Sequence, residues 1–311
     1  MHTFKQKIGV ALAATTILFT GPACAQKQGI PAPVETVQVA ADTMEASGPG
    51  LWMVKDADTT IYLFGTVHAL PEDVDWYKGT VKDALASSDT IVTEIKMDPS
   101  LAGEMQQLVA SKGILPPGTT LRGMMTAEDK ATYEAALTKL GVPAAAFDQF
   151  EPWYAGLTMS MLPLLQQGYS PESGVEKVLL ADAADKPQGA LETLAFQIGI
   201  FDELPAKSQM EFLIEASDSV DEIKPMLDAM VAEWLEGDAD ALAELMNEGL
   251  EDDVLAEKLL FERNRTWATW IDDRMDKPGT VFIAVGAGHL AGKQSVQDVL
   301  NTKGIKTYRI Q

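Results

Sequence analysis

Two apolar runs near opposite ends of the chain, Ile61–Phe64 and Val281–Val285, finish in the same four-residue pattern. The first continues into Gly65-Thr66-Val67-His68 and the second into Gly286-Ala287-Gly288-His289. Short continuous runs of β-prone apolar residues read as strands buried on both faces. A glycine at the exit lets the chain turn sharply and approach a ligand closely. The two runs therefore constrain the fold more than any other feature. They place matched strand ends, each carrying an imidazole, at the carboxyl edge of a sheet, where sites of α/β proteins assemble. Glycine is only 24 of 311 residues, and apart from His2 these are the chain's only histidines, so the repeated spacing is not a composition effect.

The rest of the pattern fits one α/β domain. Leu51–Val54 and Thr60–Phe64, separated by Lys55-Asp56-Ala57-Asp58, suit a hairpin. A helix is expected over Val81–Ala86 and a buried strand over Thr90–Ile95. Thr126-Ala127-Glu128-Asp129 resembles a capping box opening a helix to Leu140. Helices follow at Pro152–Gln167 and Gly174–Ala184, with a short strand at Gln188–Leu191. Residues from Thr193 to Arg274 are almost wholly helix-patterned. A strand at Thr280–Val285, a helix at Gly292–Thr302 and a strand at Ile305–Ile310 complete the chain. The expectation is a central mixed sheet built from both ends of the chain, with a large helical insertion over about residues 97–275. The domain spans 50–311.

The first 25 residues read as an export signal: Lys5 and Lys7, an apolar run from Ile8 to Phe19, then Ala23-Cys24-Ala25 as an A-x-A cleavage site. Residues 26–49, rich in Pro, Ala and Gly, read as a flexible leader. The mature protein is then periplasmic or secreted. Acylation at Cys24 to give a lipoprotein is the alternative, disfavoured because Gly21 stands where a lipobox usually has a leucine-like residue. Cys24 is the only cysteine, so disulfides cannot stabilise the exported domain. The net charge of −22 argues against nucleic acid and anionic lipid as partners. No later apolar stretch is long enough for stable membrane insertion. The acidic stretch Glu233–Glu257 lacks the Gly and closing Glu of a calcium loop around Asp238 and Asp240, and reads as a solvated helical face.

Beside His68 and His289, three charged residues stand in apolar surroundings. Glu94 interrupts the strand Thr90–Ile95, where a charge is costly unless it is paired or binds a metal. Glu192 follows Ala190-Leu191 and precedes a helix start, so it serves either the site or the helix N-terminus. Helical spacing puts Leu260, Arg263, Trp267, Trp270 and Arg274 on one stripe, with Asn264 at its border. Arg263 on that face needs a carboxylate or an anionic substrate group. Two imidazoles and one or two carboxylates make an open site for a divalent ion, which would activate water. Glu94 or Glu192 would then serve as general base, and Arg263 would hold the developing oxyanion.

Ile61-Tyr-Leu-Phe-Gly-Thr-Val-His68 resembles the opening motif of the TraB/GumN family, and Val285-Gly-Ala-Gly-His-Leu-Ala-Gly292 its closing motif. Glu94, Pro152-Trp153, Gly174-Val175-Glu176, Leu191-Glu192-Thr193 with Gln197, and Arg263-Asn264 fall between them in the family's order. The resemblance covers Leu51 to Gln311. It implies a fold like that of erythromycin esterases and Tiki proteases. It also implies a metallopeptidase-like hydrolase using manganese or cobalt, with zinc an alternative. Under it His68, Glu94 and His289 bind the metal, Glu94, Glu192, Arg263 and Asn264 act in catalysis, and the substrate is a peptide or a small amide or ester. Two other readings stay open: a metal-free His/Glu esterase-like hydrolase, and an exported peptide-binding protein without turnover.

Overall fold

The computed structural model describes residues 48–98, 100–247 and 253–311. The expected signal segment and nearly all of the leader lie outside them. Of the leader only Gly48 and Pro49 are described. Pro49 is buried, and its carbonyl accepts a hydrogen bond from the Gln311 side chain at 3.0 Å.

Six strands form one mixed sheet: β1 (Leu51–Lys55), β2 (Thr59–Thr66), β3 (Thr90–Thr93), β4 (Gln188–Ala190), β5 (Gly279–Gly286) and β6 (Tyr308–Arg309). Their spatial order is β4-β3-β5-β2-β1-β6. The expected hairpin is present, and Asp56 fixes its turn by accepting from the backbone N–H groups of Asp58 and Thr59 at 3.0 and 2.8 Å. The two matched runs are direct neighbours. β2 and β5 pair in parallel over their whole length, from Thr59 opposite Gly279 to Thr66 opposite Gly286. His68 and His289 thus leave the same edge of the sheet from adjacent strands. β3 pairs in parallel with β5 and with β4, so four strands end on that edge.

β2 and β5 are sealed on both faces, which explains their uninterrupted apolar sequence. Ile61, Leu63, Val281, Ile283 and Val285 face one core, and Phe64, Phe282 and Ala284 face the other. On the first face lie the helices Glu262–Met275 and Val296–Thr302, bringing Trp267, Ala268, Ile271 and Leu300. The other face is covered by Gly79–Ser87 and the helical middle of the chain, which is held together internally by the contact of Pro152–Gln166 with Ala206–Asp218. In chain order we call the helices that bear on the site α1 (Val175–Asp182), α2 (Leu194–Asp202), α3 (Glu262–Met275) and α4 (Val296–Thr302). Among the described residues no helix is long and apolar enough to cross a membrane.

The short strand expected at Gln188–Leu191 forms as β4 and joins the sheet edge beside β3. Two details depart from the sequence reading. α4 starts at Val296 rather than Gly292, since Gly292 and Gln294 adopt φ of +67° and +59° and Ser295 caps the helix at Asp298 N. The last strand shrinks to Tyr308–Arg309, which pairs only with β1 at the sheet edge. The capping box at Thr126 is as expected, with Asp129 the reciprocal partner.

Candidate functional site

The carboxyl edge of the four parallel strands carries a buried polar cluster. Glu94 follows β3, and Glu192 follows β4. The pairing of those strands continues past their ends, with Leu191 N–H on Thr93 O at 3.0 Å and Glu192 N–H on Glu94 O at 2.8 Å. Two carboxylates almost a hundred residues apart are thereby set side by side. Glu94 is 1% exposed and the Glu192 side chain 5%.

Arg263 compensates them from α3. Its Nη2 donates to Glu94 Oε2 at 2.6 Å and to Glu192 Oε2 at 3.0 Å, and its Nε to Glu192 Oε1 at 2.9 Å. Nη1 donates to Leu259 O at 2.9 Å and to His289 Nε2 at 3.0 Å. All five guanidinium N–H groups therefore have protein acceptors. The Leu259 carbonyl lies in a π-helical turn, Glu257–Phe261, directly before α3. Such turns interrupt the regular helical ladder. The remaining carboxylate capacity goes to Gly286 N–H on Glu94 Oε1 at 2.7 Å, Trp267 Nε1 on Glu192 Oε1 at 2.8 Å, and Gln197 Nε2, which reaches both Glu94 (2.8 Å) and Glu192 (3.2 Å). Burial pushes the Glu192 carboxyl up, against the opposing pull of Arg263. For Arg263 burial works to lower the pKa, but the two carboxylates outweigh it and raise it.

The two histidines occupy different environments. His289 is fully buried, its ring centroid 4.2 Å from that of Trp267, and its Nδ1 lies 2.6 Å from Asn264 Oδ1. Burial, then the charges of Arg263 and His68, hold its pKa far below the ordinary histidine value. His68 is 11% exposed at its side chain, the most open group of the cluster. Its Nδ1 meets Glu176 Oε1 at 2.6 Å, and Thr66 Oγ1 donates to the same oxygen at 2.5 Å. Burial opposes protonation of His68, but the charge and hydrogen bond of Glu176 prevail and raise its pKa. Conversely burial would raise Glu176, yet His68 and Thr66 bring it below the ordinary carboxylate value. His68 Nε2 is buried and has no hydrogen-bond partner.

The structure brings together every residue singled out from the sequence: His68, Glu94, Glu192, Arg263, Asn264 and His289. It changes what several of them can do. Arg263 has no N–H left for an oxyanion, because its five donors serve Glu94, Glu192, Leu259 and His289. The buried face of α3 is Arg263, Asn264, Trp267, Ala268 and Ile271, so Asn264 belongs to it while Trp270 and Arg274 lie at its margin. As arranged, His68, Glu94 and His289 do not fit a divalent ion. The guanidinium fills the cationic position between Glu94 and His289, and both nitrogens of His289 are engaged. Among the described residues no group of three or more His, Cys, Asp or Glu side chains is placed to hold a metal.

Four contributors carried no assigned role in the sequence reading. Glu176 and Thr66 orient His68, while Gln197 and Trp267 hold the carboxylates. Glu176 sits in the first turn of α1, where an acidic residue is expected for the helix dipole alone. The signals were motif positions and spacings: Thr66, Glu176 and Gln197 stand in the motifs of the family resemblance, Gln197 four residues after the cap Thr193, and Trp267 four after Arg263.

The chain is similar to known proteins over most of its length. An uncharacterized protein of Treponema pallidum (strain Nichols) is 20% identical over 277 residues, covering 81% of this chain and 80% of that one. No solved structure matches the chain. The profile of the TraB/PrgY/gumN family matches residues 50–309, which run from the first strand to the last. By that match over most of its length, the chain belongs to the TraB/PrgY/gumN family.

Proposed function

We propose that the protein is a hydrolase of peptide, amide or ester bonds in which His68 is the general base and Glu176 its orienting carboxylate. The observation that carries this reading is His68 itself. One ring nitrogen is anchored to a carboxylate, and the other is buried and unpartnered, on the most exposed side chain of the cluster. That is the base-and-orienter arrangement of nucleophilic and hydrolytic sites.

The chemistry follows from the hydrogen-bond roles. With Nδ1–H donated to Glu176, the lone pair of Nε2 takes a proton from water as the water oxygen bonds to the substrate carbonyl carbon. The same proton then passes to the departing amine or alcohol as the C–N or C–O bond breaks. Glu176 balances the transient imidazolium, and Thr66 fixes Glu176. The Glu94–Arg263–Glu192 group stays out of bond making. The charge of Glu94 adds to the basicity of His68. Export after removal of residues 1–25 is part of the proposal, and intact-mass measurement of the native protein tests it. An N-terminus at Gln26 supports it, and an acylated Cys24 refutes it.

The activity test is a panel of peptide, amide and ester substrates with wild type, His68→Ala and Glu176→Gln, each with and without chelator. Turnover that survives chelation and falls in both variants is expected. The metallopeptidase alternative predicts stoichiometric manganese, cobalt or zinc in the protein as purified, and chelator-sensitive turnover. A tight peptide complex without turnover would favour the binding-protein reading.

A further inference from the structure

We infer that His289, although it shares its sequence pattern with His68, takes no part in proton transfer or metal ligation, and is a positioning residue that holds Arg263 through a locked neutral tautomer. The inference rests on the hydrolase reading above only for what the held guanidinium serves. The tautomer itself follows from donor and acceptor bookkeeping.

Arginine has donors and no acceptor. The 3.0 Å contact of Arg263 Nη1 with His289 Nε2 therefore requires a lone pair on Nε2. The ring proton must then lie on Nδ1, where it is donated to Asn264 Oδ1 at 2.6 Å. That fixes the Asn264 amide, whose Nδ2 donates to Gln294 O at 2.7 Å. Gln294 is the described non-glycine residue at positive φ, and its N–H is held by Asp298 Oδ2 at 3.0 Å. From Arg263 to Asp298 every group has its partner in one direction only. Reversing any amide or moving the ring proton sets donor against donor or acceptor against acceptor. The ring is also packed against Trp267 and has no exposed surface. A protonated His289 would turn an N–H toward a guanidinium, and a metal on Nε2 would have to displace it. His68 has neither restriction.

The test uses nitrogen-15 NMR of the histidine rings in the untagged protein, with His68→Gln identifying the His289 signals. His289 is expected as neutral imidazole with the proton on Nδ1 throughout pH 5 to 8, and unchanged when manganese alone is added. Asn264→Asp keeps the shape but puts a carboxylate against Nδ1, and should shift His289 toward imidazolium within that range. A proton on Nε2 in the wild type, titration of His289 there, paramagnetic broadening of its signals by manganese, or an unchanged His289 in Asn264→Asp would overturn the inference. If Asn264→Asp fails to fold, the wild-type spectrum and the manganese titration still decide. None of these readouts needs turnover, so failure of the hydrolase reading, seen as undiminished activity in His68→Ala, remains distinguishable.

Discussion

Removing Arg263 tests whether the buried cluster is held by charge compensation. Arg263→Leu deletes five donated hydrogen bonds and leaves Glu94 and Glu192 side by side at 1% and 5% exposure. Breaking one partner out of a buried ion pair costs about 3–5 kcal/mol. For a domain of this size each kcal/mol corresponds to roughly 2–4 °C, so melting should fall by about 6–20 °C. The cause is an uncompensated charge rather than a lost contact, which a second variant isolates. Arg263→Leu combined with Glu94→Gln and Glu192→Gln removes all three charges and should recover more than half of the loss. The sign of the pH dependence follows. Burial already raises the Glu192 carboxyl against the pull of Arg263, so with the guanidinium gone the folded state binds a proton at Glu192 more tightly than the unfolded state does. The stability deficit of the single variant should therefore shrink as pH falls toward 4.5. Urea unfolding at pH 7 and pH 5 measures all of this. A loss below about 1 kcal/mol for Arg263→Leu, or a triple variant no more stable than the single one, would refute the compensation argument.

The His68–Glu176 pair should be most strongly coupled between the ordinary values of 4.5 for the carboxyl and 6.5 for the imidazole. Below that window Glu176 gains its proton and above it His68 loses one, so a double-mutant cycle across pH should peak inside it. Turnover that depends on unprotonated His68 should rise with pH through a value above 6.5, and Glu176→Gln should move that rise to lower pH. Gly174→Ala should lower activity more than stability, because an added Cβ would lie 2.2 Å from the His68 carbonyl oxygen and must push the backbone that carries the base. Thr126→Ala, far from the site, should cost about 1 kcal/mol of stability and leave turnover unchanged, as read by urea unfolding beside an activity assay.

The sheet was legible because its central strands are sealed on both faces. A continuous apolar run such as Val281–Val285 has little alternative to a buried parallel strand, and the paired Gly-x-x-His ends announced its neighbour. Helix starts with side-chain caps, as at Thr126, were equally readable. Partners fixed by tertiary pairing were not. β4 was readable as a short strand, but its three residues, Gln-Gly-Ala, do not say which strand they join, and β3 offers the edge. The sequence showed Glu94, Glu192 and Arg263 as charges in apolar settings, and a mutual ion pair was among the readings left open. That their partners are one another depends on where β4 docks. Glu176 was the harder case, since an acidic first-turn residue looks the same whether it faces solvent or an imidazole.

The cost of the cluster bears on what it is for. Two carboxylates and a guanidinium taken out of water repay their desolvation only when nearly every lone pair and N–H is matched, and well-packed apolar side chains in their place are often as stable or more so. Here the matching is close to complete around Arg263, drawing donors and acceptors from β5, from α2 and α3, and from the π-helical turn. Such an arrangement adds little net stability, but it places charges rigidly. Four parallel strands about 4.8 Å apart end at this edge, so residues just beyond them stand in a row whose spacing the backbone fixes. The row is saturated at His289, Glu94 and Glu192 and unsaturated at His68 Nε2. We therefore read the saturated part as scaffold and His68 as the atom-bearing end: the charges hold the electrostatic environment still, and the unpartnered Nε2 belongs to the most exposed side chain of the cluster.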